Sequence, residues 1–139
     1  EVIDEGGAEQ ALGLGAGDRV ARLERVRRSD GIPLAIERAS LPTTILPDPE
    51  AVDVSLYALL ETFGHRPVRA VQRISAANLG VRDAELLGVP AGAAGLRIER
   101  IGYLASGRVV EFTRSVYRGD AYDFAVELKL APDTERRPQ

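Results

Sequence analysis

The sequence predicts an α+β domain whose sheet is mostly antiparallel. Two pairs of β-rich runs are each joined by a short turn, Ser-Asp-Gly at residues 29–31 and Ser-Gly at residues 106–107, which is typical of β-hairpins. The candidate helices are short and do not alternate regularly with single strands. The chain therefore has none of the βαβ pattern that a parallel sheet requires.

In the first half, residues 8–14 are a short helix candidate that ends among closely spaced glycines. Residues 19–28 and 33–41 read as two strands around the first turn, so they should form an antiparallel hairpin. Residues 42–49 form a proline-rich connection. Asp53 is then expected to cap a helix that ends at Gly64.

In the second half, the sequence predicts strands and helices in the order strand, helix, hairpin and final strand. The final strand rests on strict alternation, since Phe, Val, Leu and Leu alternate with Ala, Glu and Lys. The predicted ranges are a strand at 67–78, a helix at about 82–87, a hairpin of 95–105 with 109–118, a last strand at 124–130, and a frayed tail from 131.

The composition fits one folded domain and excludes several classes of function. The chain has 139 residues, of which 45% are hydrophobic, and a net charge of −3, which gives no general attraction to nucleic acid or membranes. There is no cysteine, and no apolar run approaches the roughly 20 residues that span a bilayer. These features favour a cytoplasmic protein without disulfides. Because the chain starts at Glu1 and has no methionine, we expect it to be a fragment or a processed product.

Arg25 and Arg27 are the most suggestive charged pair. Residues two apart on a strand point the same way, and these two follow Ala21 and Leu23 on the apolar face. An arginine on a core-facing surface needs an anionic partner, because an unpaired buried charge is very costly. The partner is either Glu37 on the next strand, in a structural ion pair, or an anionic ligand.

Further polar residues cluster on the later strand and at the start of the central helix. Glu111, Ser115 and Tyr117, with Thr113 between them, share one strand face, which suits a sugar, amino acid or phosphate and equally a solvated surface. Ser55 and Tyr57 lie where a helix begins, a place that attracts anions but also takes ordinary first-turn residues.

No catalytic, metal or cofactor signature is visible. His65 is the only histidine and cysteine is absent, so a metal site is not expected. No serine lies in a nucleophile elbow, and there is neither a Walker-type phosphate loop nor a dinucleotide fingerprint. We therefore predict no catalytic residue, no metal and no cofactor.

An ordered set of motifs nevertheless resembles a known family. These are Arg25-Val-Arg27 before the first turn, residues 33–42 (PLAIERASLP), residues 55–61 (SLYALLE), and residues 110–124 (VEFTRSVYRGDAYDF). Together they resemble the UTRA domain, the C-terminal effector-binding domain of the HutC branch of bacterial GntR-type transcriptional regulators. The resemblance implies one ligand-binding and dimerisation domain over residues 1–139, with a core of about 8–130 and a duplicated chorismate-lyase-like fold.

The resemblance also implies partners and roles. The domain would bind a small anionic metabolite, form a homodimer, avoid membranes, and reach operator DNA only through an N-terminal winged helix-turn-helix absent from this chain. The matching positions carry an anion-binding pair, an acidic residue on the next strand, a polar pair at the helix start, and two residues that contact polar groups of the effector. In this sequence they are Arg25 and Arg27, Glu37, Ser55 and Tyr57, and Glu111 and Tyr117, to which Arg100 and Ser115 are added as neighbouring candidates.

Two other functions remain open at this point. A chorismate-lyase-like enzyme would use an arginine-bound carboxylate and a nearby acid. A dimerisation module without a ligand would have its arginines locked to Glu37 and Glu111.

An internal repeat narrows the location of the site. Residues 12–26 align with residues 87–101, with about half the positions identical, which indicates two similar helix–loop–hairpin units. The copies diverge at the charged positions, because Arg25 is followed by Arg27 whereas Arg100 is followed by Gly102. We expect one composite site, with a cationic wall from the first copy and a Glu–Tyr wall from the second.

Overall fold

The fold is one five-stranded antiparallel sheet with two short helices, in a computed structural model that describes residues 11–15, 17–52, 55–123 and 125–131. The strand order is β1-β2-β5-β4-β3, and every neighbouring pair is antiparallel. This confirms the predicted α+β class. The elements are β1 (Val20–Ser29), β2 (Ile32–Pro42), a 3₁₀ turn (Pro49–Ala51), α1 (Leu56–Thr62), β3 (Arg69–Asn78), α2 (Val81–Leu87), β4 (Ala94–Tyr103) and β5 (Val109–Arg118).

The two predicted hairpins form the centre of the sheet. The β1–β2 turn contains Asp30 and Gly31 with φ values of 52° and 79°, the left-handed region that two-residue hairpin turns require. Strands β2 and β5 pair side by side, so the two hairpins meet with β1 and β4 on their outer sides. The arrangement places the two copies of the repeat in matching positions across the middle of the sheet.

Apolar side chains cover both faces of the sheet. On one face, Leu56 and Leu60 of α1 pack with Leu41 and Val110 in the largest buried cluster. On the other, the α2 side chains of Ala84 and Leu87 pack with Ile36. Because α1 covers only part of its face, a concave space remains beside it, over β1, β2, β5 and β4. No helix among the described residues is long and apolar enough to cross a membrane.

Two of the predicted helices begin differently in the structure or lie partly outside the described residues. Helix α1 is capped by Ser55, whose Oγ accepts a hydrogen bond from the Ala58 backbone N–H at 3.2 Å, and Asp53 lies outside the described residues. Of the helix predicted at residues 8–14, only Ala11 and Leu12 are helical within the described range, which begins at residue 11.

The predicted final strand is wrong for the residues that the structure describes. Residues 125–131 are not in a strand, and Val126, Leu128 and Leu130 are 66%, 72% and 85% exposed. Alternation predicts a strand that buries one face, but a strand also needs a neighbour with which to exchange hydrogen bonds. This segment pairs with no described strand of its own chain. Phe124, the first residue of the prediction, lies outside the described residues.

Candidate functional site

A cavity of about 290 Å³ lies on the α1 side of the sheet. Its walls come from β1, β2, the start of α1, the α1–β3 connection, and the middle of β4 and β5. Most of its lining is polar or charged, which is unusual for a space over the centre of a sheet. The lining residues are Arg25, Arg27, Glu37, Ala39, Ser55, Leu56, Tyr57, Arg66, Arg100 and Thr113.

Strand register brings the charged residues together. Arg25 lies opposite Glu37 in the β1–β2 pair, and Thr113 lies opposite Arg100 in the β4–β5 pair. Because side chains two apart share a face, Arg27 extends the same row on β1. Residues from both copies of the repeat therefore face one space.

The first cluster in the cavity joins two arginines to one carboxylate oxygen. Arg25 Nη2 lies 2.7 Å and Arg27 Nη2 lies 3.4 Å from the same Oε1 of Glu37. The side chains of Arg25, Arg27 and Glu37 are 24%, 51% and 15% exposed, so the cluster is open to solvent on its cavity side.

The second cluster lies beneath the cavity and is closed. Glu111 is fully buried; its Oε1 accepts from the Tyr57 hydroxyl at 2.6 Å, and its Oε2 accepts from Thr113 Oγ1 at 2.6 Å and from Arg100 Nη2 at 2.8 Å. Three donors thus satisfy a buried charge that would otherwise be very costly. Gly102 on β4 makes room for this carboxylate, since a Cβ there would stand 2.7 Å from Oε1 of Glu111.

The buried carboxylate changes the proton affinity of its neighbours. Burial, followed by the hydrogen bond and charge of Glu111, raises the pKa of Tyr57 well above its usual value. Burial pulls the pKa of Arg100 down, but the attraction of Glu111 outweighs it and the pKa is raised overall. Tyr57 therefore stays a neutral donor, and Arg100 stays a cation.

Arg66 is a cavity residue that the sequence analysis did not select. It follows α1, and its guanidinium lies 5.6 Å from the centre of the Tyr57 ring, while the Arg100 guanidinium lies 5.5 Å from the same centre. Its Nη1 also contacts Glu61 at 3.1 Å, between two exposed side chains. Its position could have suggested a place in the site, because Arg66 closely follows the helix that carries Tyr57 and lies next to the lone histidine in the sequence.

Six of the nine predicted site residues line the cavity, and three do not. Glu111 lies beneath it, and Ser115 is buried. Tyr117 packs against Tyr122, with ring centres 4.8 Å apart. Glu111 bonds with Tyr57, whereas Tyr117 lies close enough to Glu37 and Arg27 for their charges to shift its pKa, so its place in the site stays a prediction. The six lining residues are Arg25, Arg27, Glu37, Ser55, Tyr57 and Arg100.

The polar stripe on β5 is not a solvated surface. Glu111, Thr113 and Ser115 are 0%, 2% and 7% exposed. The alternation of the strand shows only which residues share a face, and the packing of α1 over that face decides its exposure.

The cavity is electropositive. Four arginines line it, against Glu37 in its wall and Glu111 in its floor, which leaves two net positive charges before Glu61 is counted at the rim. The described residues contain no group of three or more His, Cys, Asp or Glu side chains arranged to hold a metal ion. The candidate site is thus a small, arginine-rich cavity with an excess of positive charge on one face of an antiparallel sheet.

Comparison with known proteins identifies the family. The model of the UTRA domain matches residues 5–123. The chain is 34% identical over 116 residues to the HTH-type transcriptional repressor NagR of Bacillus subtilis, covering 81% of this chain and 48% of that protein. It is likewise 34% identical over 120 residues to the repressor PhnF of Mycolicibacterium smegmatis, covering 84% and 49%.

Solved structures agree. The effector domain of PhnF from Mycobacterium smegmatis superposes with a TM-score of 0.82 at 31% identity, over 94% of this chain and 82% of that one. A GntR-family regulator from Enterococcus faecalis V583 gives a TM-score of 0.82 at 31% identity, over 91% and 94%. The chain belongs to the UTRA domain family, the effector-binding domains of GntR-family transcriptional regulators. It spans about half the length of the curated relatives it matches.

Proposed function

We propose that this domain binds an anionic small-molecule effector in the arginine-lined cavity. The observation that carries the proposal is the pair Arg25 and Arg27, whose guanidinium groups converge on one point of the cavity wall. Paired guanidinium groups form charge-assisted, often bidentate hydrogen bonds with phosphate and carboxylate oxygens. A sugar phosphate, a phosphonate, or an organic or amino acid has the required chemistry.

The other cavity residues suit the remainder of such a ligand. The Ser55 hydroxyl caps α1 as an acceptor and keeps its own hydrogen for donation. Arg66 and Arg100 lie on the opposite side from β1 and add positive charge around Tyr57. A ligand bound between them would contact α1 and the sheet at once, which gives binding a route to change the domain.

The effector would regulate DNA binding by a winged helix-turn-helix that lies outside this chain. The relatives are named HTH-type transcriptional repressors and are about twice as long as the matched region. An effector that favours one arrangement of a dimer over another would shift the separation of two DNA-binding heads. A coupling of about 1–3 kcal/mol would suffice for regulation. The setting we propose is the bacterial cytoplasm.

We infer that the domain forms a homodimer, and the C-terminal segment supports this. Residues 125–131 carry an exposed apolar row that finds no partner strand among the described residues. Strand β3 is at an edge of the described sheet, and Val68 beside it and Val71 within it are 67% and 52% exposed. Pairing between such an edge and an extended segment of a second copy would bury both.

Two aspartate substitutions test the dimer. Leu128→Asp places a charge in the apolar row, whereas Lys129→Asp introduces aspartate on the alternate side. Sedimentation equilibrium should show weaker association for Leu128→Asp and wild-type association for Lys129→Asp. Equal behaviour of the two variants would contradict a dimer built on this row.

We also infer that the cavity is a binding site and not a catalytic one. Glu111, the buried acid nearest the arginines, already accepts from three donors, so both of its oxygens are occupied. Incubation with chorismate should therefore yield no product. Pyruvate release above the blank would contradict this.

A dimerisation module without a ligand is the second candidate, and the contacts of Glu37 with both arginines favour it. One experiment decides between the two. Sugar phosphates, phosphonates and organic acids are screened by thermal shift, and hits are measured by calorimetry on wild type, Arg25→Ala and Arg114→Ala. Arg114 is the matched control, because it pairs with Glu99 and alternates with Thr113 onto the other sheet face.

The effector-binding function predicts a hit that binds wild type and Arg114→Ala alike and binds Arg25→Ala at least about tenfold more weakly. A hit that binds all three equally would overturn the site. The absence of any stabilising anion in the panel would favour the ligand-free module.

A further inference from the structure

The two arginine–carboxylate clusters of the site differ in a way that bears on selectivity. Glu111 is 0% exposed and three donors occupy its oxygens, so it cannot leave without opening the core. Glu37 is partly exposed and faces the cavity, and both of its arginine contacts converge on one oxygen. The Glu111 cluster is a fixed floor, whereas the Glu37 cluster faces the cavity and solvent.

Glu37 stands where a bound anion would accept from the same donors. Arg25 Nη2 at 2.7 Å and Arg27 Nη2 at 3.4 Å both point at its Oε1. Ion pairs between solvent-accessible groups contribute little to stability, because water replaces much of what is lost when they separate. Rotation of the Glu37 side chain toward solvent would therefore present two guanidinium groups to a ligand.

We propose that Glu37 is a specificity-determining residue, an internal carboxylate that competes with the ligand for Arg25 and Arg27 and thereby excludes single carboxylates in favour of dianionic groups. This inference rests on the proposed effector-binding function. The cost of freeing the two arginines is the same for every ligand. The attraction between the ligand and the two arginines grows with ligand charge, because each added negative charge interacts with both guanidinium groups.

A carboxylate ligand would therefore replace the Glu37 carboxylate with an equivalent group. It has the same charge and the same two oxygens as the Glu37 side chain that it displaces, so little net attraction remains. A phosphate or phosphonate group has a charge of about −1.5 to −2 near pH 7 and three acceptor oxygens, so a surplus remains after Glu37 has moved. The threshold that Glu37 sets is thus between one and two negative charges.

The test uses methyl phosphate and acetate as probes at pH 7.5, with dissociation constants from NMR titration of the domain. Wild type should bind methyl phosphate at least about tenfold more tightly than acetate. Glu37→Gln keeps the size of the side chain but removes the competing charge, so it should tighten both probes by a similar factor of at least about tenfold and bring acetate into the measurable range. Glu37→Asp keeps the charge and should tighten the probes much less.

Two carboxylate controls separate competition from general electrostatics. Glu99→Gln removes the same charge on the opposite sheet face, and Glu61→Gln removes it beside Arg66 at the cavity rim. Both should tighten the two probes by no more than about threefold, because neither carboxylate competes for Arg25 and Arg27. A Glu37→Gln variant that behaves like these controls, or that binds both probes more weakly than wild type, overturns the inference.

Failure of the proposed function gives a different result. If Arg25→Ala binds methyl phosphate as well as wild type does, the cavity is not the anion site. If Arg25→Ala loses binding while Glu37→Gln leaves both dissociation constants within about threefold of wild type, the site stands and the role of Glu37 falls. Should Glu37→Gln fail to fold, Glu37→Asp decides, because pulling the carboxylate back by one methylene should tighten both probes part of the way, and unchanged or weaker binding contradicts competition.

Discussion

The hydroxyl of Tyr57 donates to the Oε1 of Glu111 at 2.6 Å, across 54 residues of sequence. This bond joins α1, which closes one side of the cavity, to β5, which carries Glu111 in the cavity floor. Arg100 and Thr113 donate to the other oxygen of the same carboxylate. Side chains from α1, β4 and β5 therefore meet at one buried charge. The floor is therefore built before any ligand arrives, which lowers the ordering cost of binding.

Replacing Tyr57 with Phe should destabilise the domain. The ring still packs against the buried cluster beneath α1, but one donor to a fully buried carboxylate is lost, at a cost of about 1–3 kcal/mol. The free energy of unfolding should be measured in urea. Tyr103→Phe is the matched control, because that half-buried ring stacks under Arg69 and should change stability by less than about 0.5 kcal/mol. Equal losses in the two variants would contradict a special role for the Tyr57 hydroxyl.

Alkaline pH should destabilise the domain partly through Tyr57. Its folded pKa is raised above the usual tyrosine value of 10.0 by burial and by Glu111, so the unfolded chain gives up this proton first as pH rises. Stability that is fully present below pH 10 should then decline above it, toward the folded pKa. Burial and Glu37 raise the pKa of Tyr117 in the same direction.

Urea unfolding between about pH 9 and 11 measures this effect. Tyr57→Phe and Tyr117→Phe should each lose less stability over that range than wild type. A wild-type slope in Tyr57→Phe would show that the tyrosine does not favour its neutral form in the folded domain.

Gly102 should tolerate no side chain. An alanine Cβ there would lie 2.7 Å from Glu111 Oε1 and 3.2 Å from two Pro67 carbons, so the buried carboxylate must move from its donors. Gly102→Ala should cost about 1–3 kcal/mol and weaken anion binding, because the floor of the cavity shifts. Gly80→Ala is the control, since nothing lies within 4 Å of its Cβ position and its φ is −73°. Comparable stability of the two variants would contradict the close approach of the Glu111 carboxylate to Gly102.

The sequence predicted the fold class and three of the four arginines that line the cavity. Turn residues and period-two runs predicted both hairpins, because hairpin geometry is local. Alternation predicted the shared strand face of Arg25 and Arg27 and offered Glu37 as one possible partner, and the strand register places Glu37 opposite Arg25. The motif order predicted the UTRA family, which the family comparison confirmed.

What the sequence could not supply depends on contacts between distant segments. The pairing of Tyr57 with Glu111 needs the packing of α1 on β5, and nothing local in either segment encodes it. Tyr117 shares a strand face with Glu111 but lies near the other end of β5, close to Glu37 and against Tyr122, so sharing a face did not bring it to the buried carboxylate. The 124–130 alternation predicted a strand but could not say which neighbour would complete it.

The most direct test of the account follows the arginine side chains themselves. The Nε–Hε resonances of the domain are assigned and titrated with inorganic phosphate. We expect saturable shifts, with one common dissociation constant, at the cavity arginines Arg25, Arg27, Arg66 and Arg100. We expect no saturable shift at Arg38, Arg114 and Arg118, which project from the opposite sheet face and pair with acidic residues. Uniform small shifts at all seven, or saturation at the opposite face alone, would contradict an anion site in the cavity.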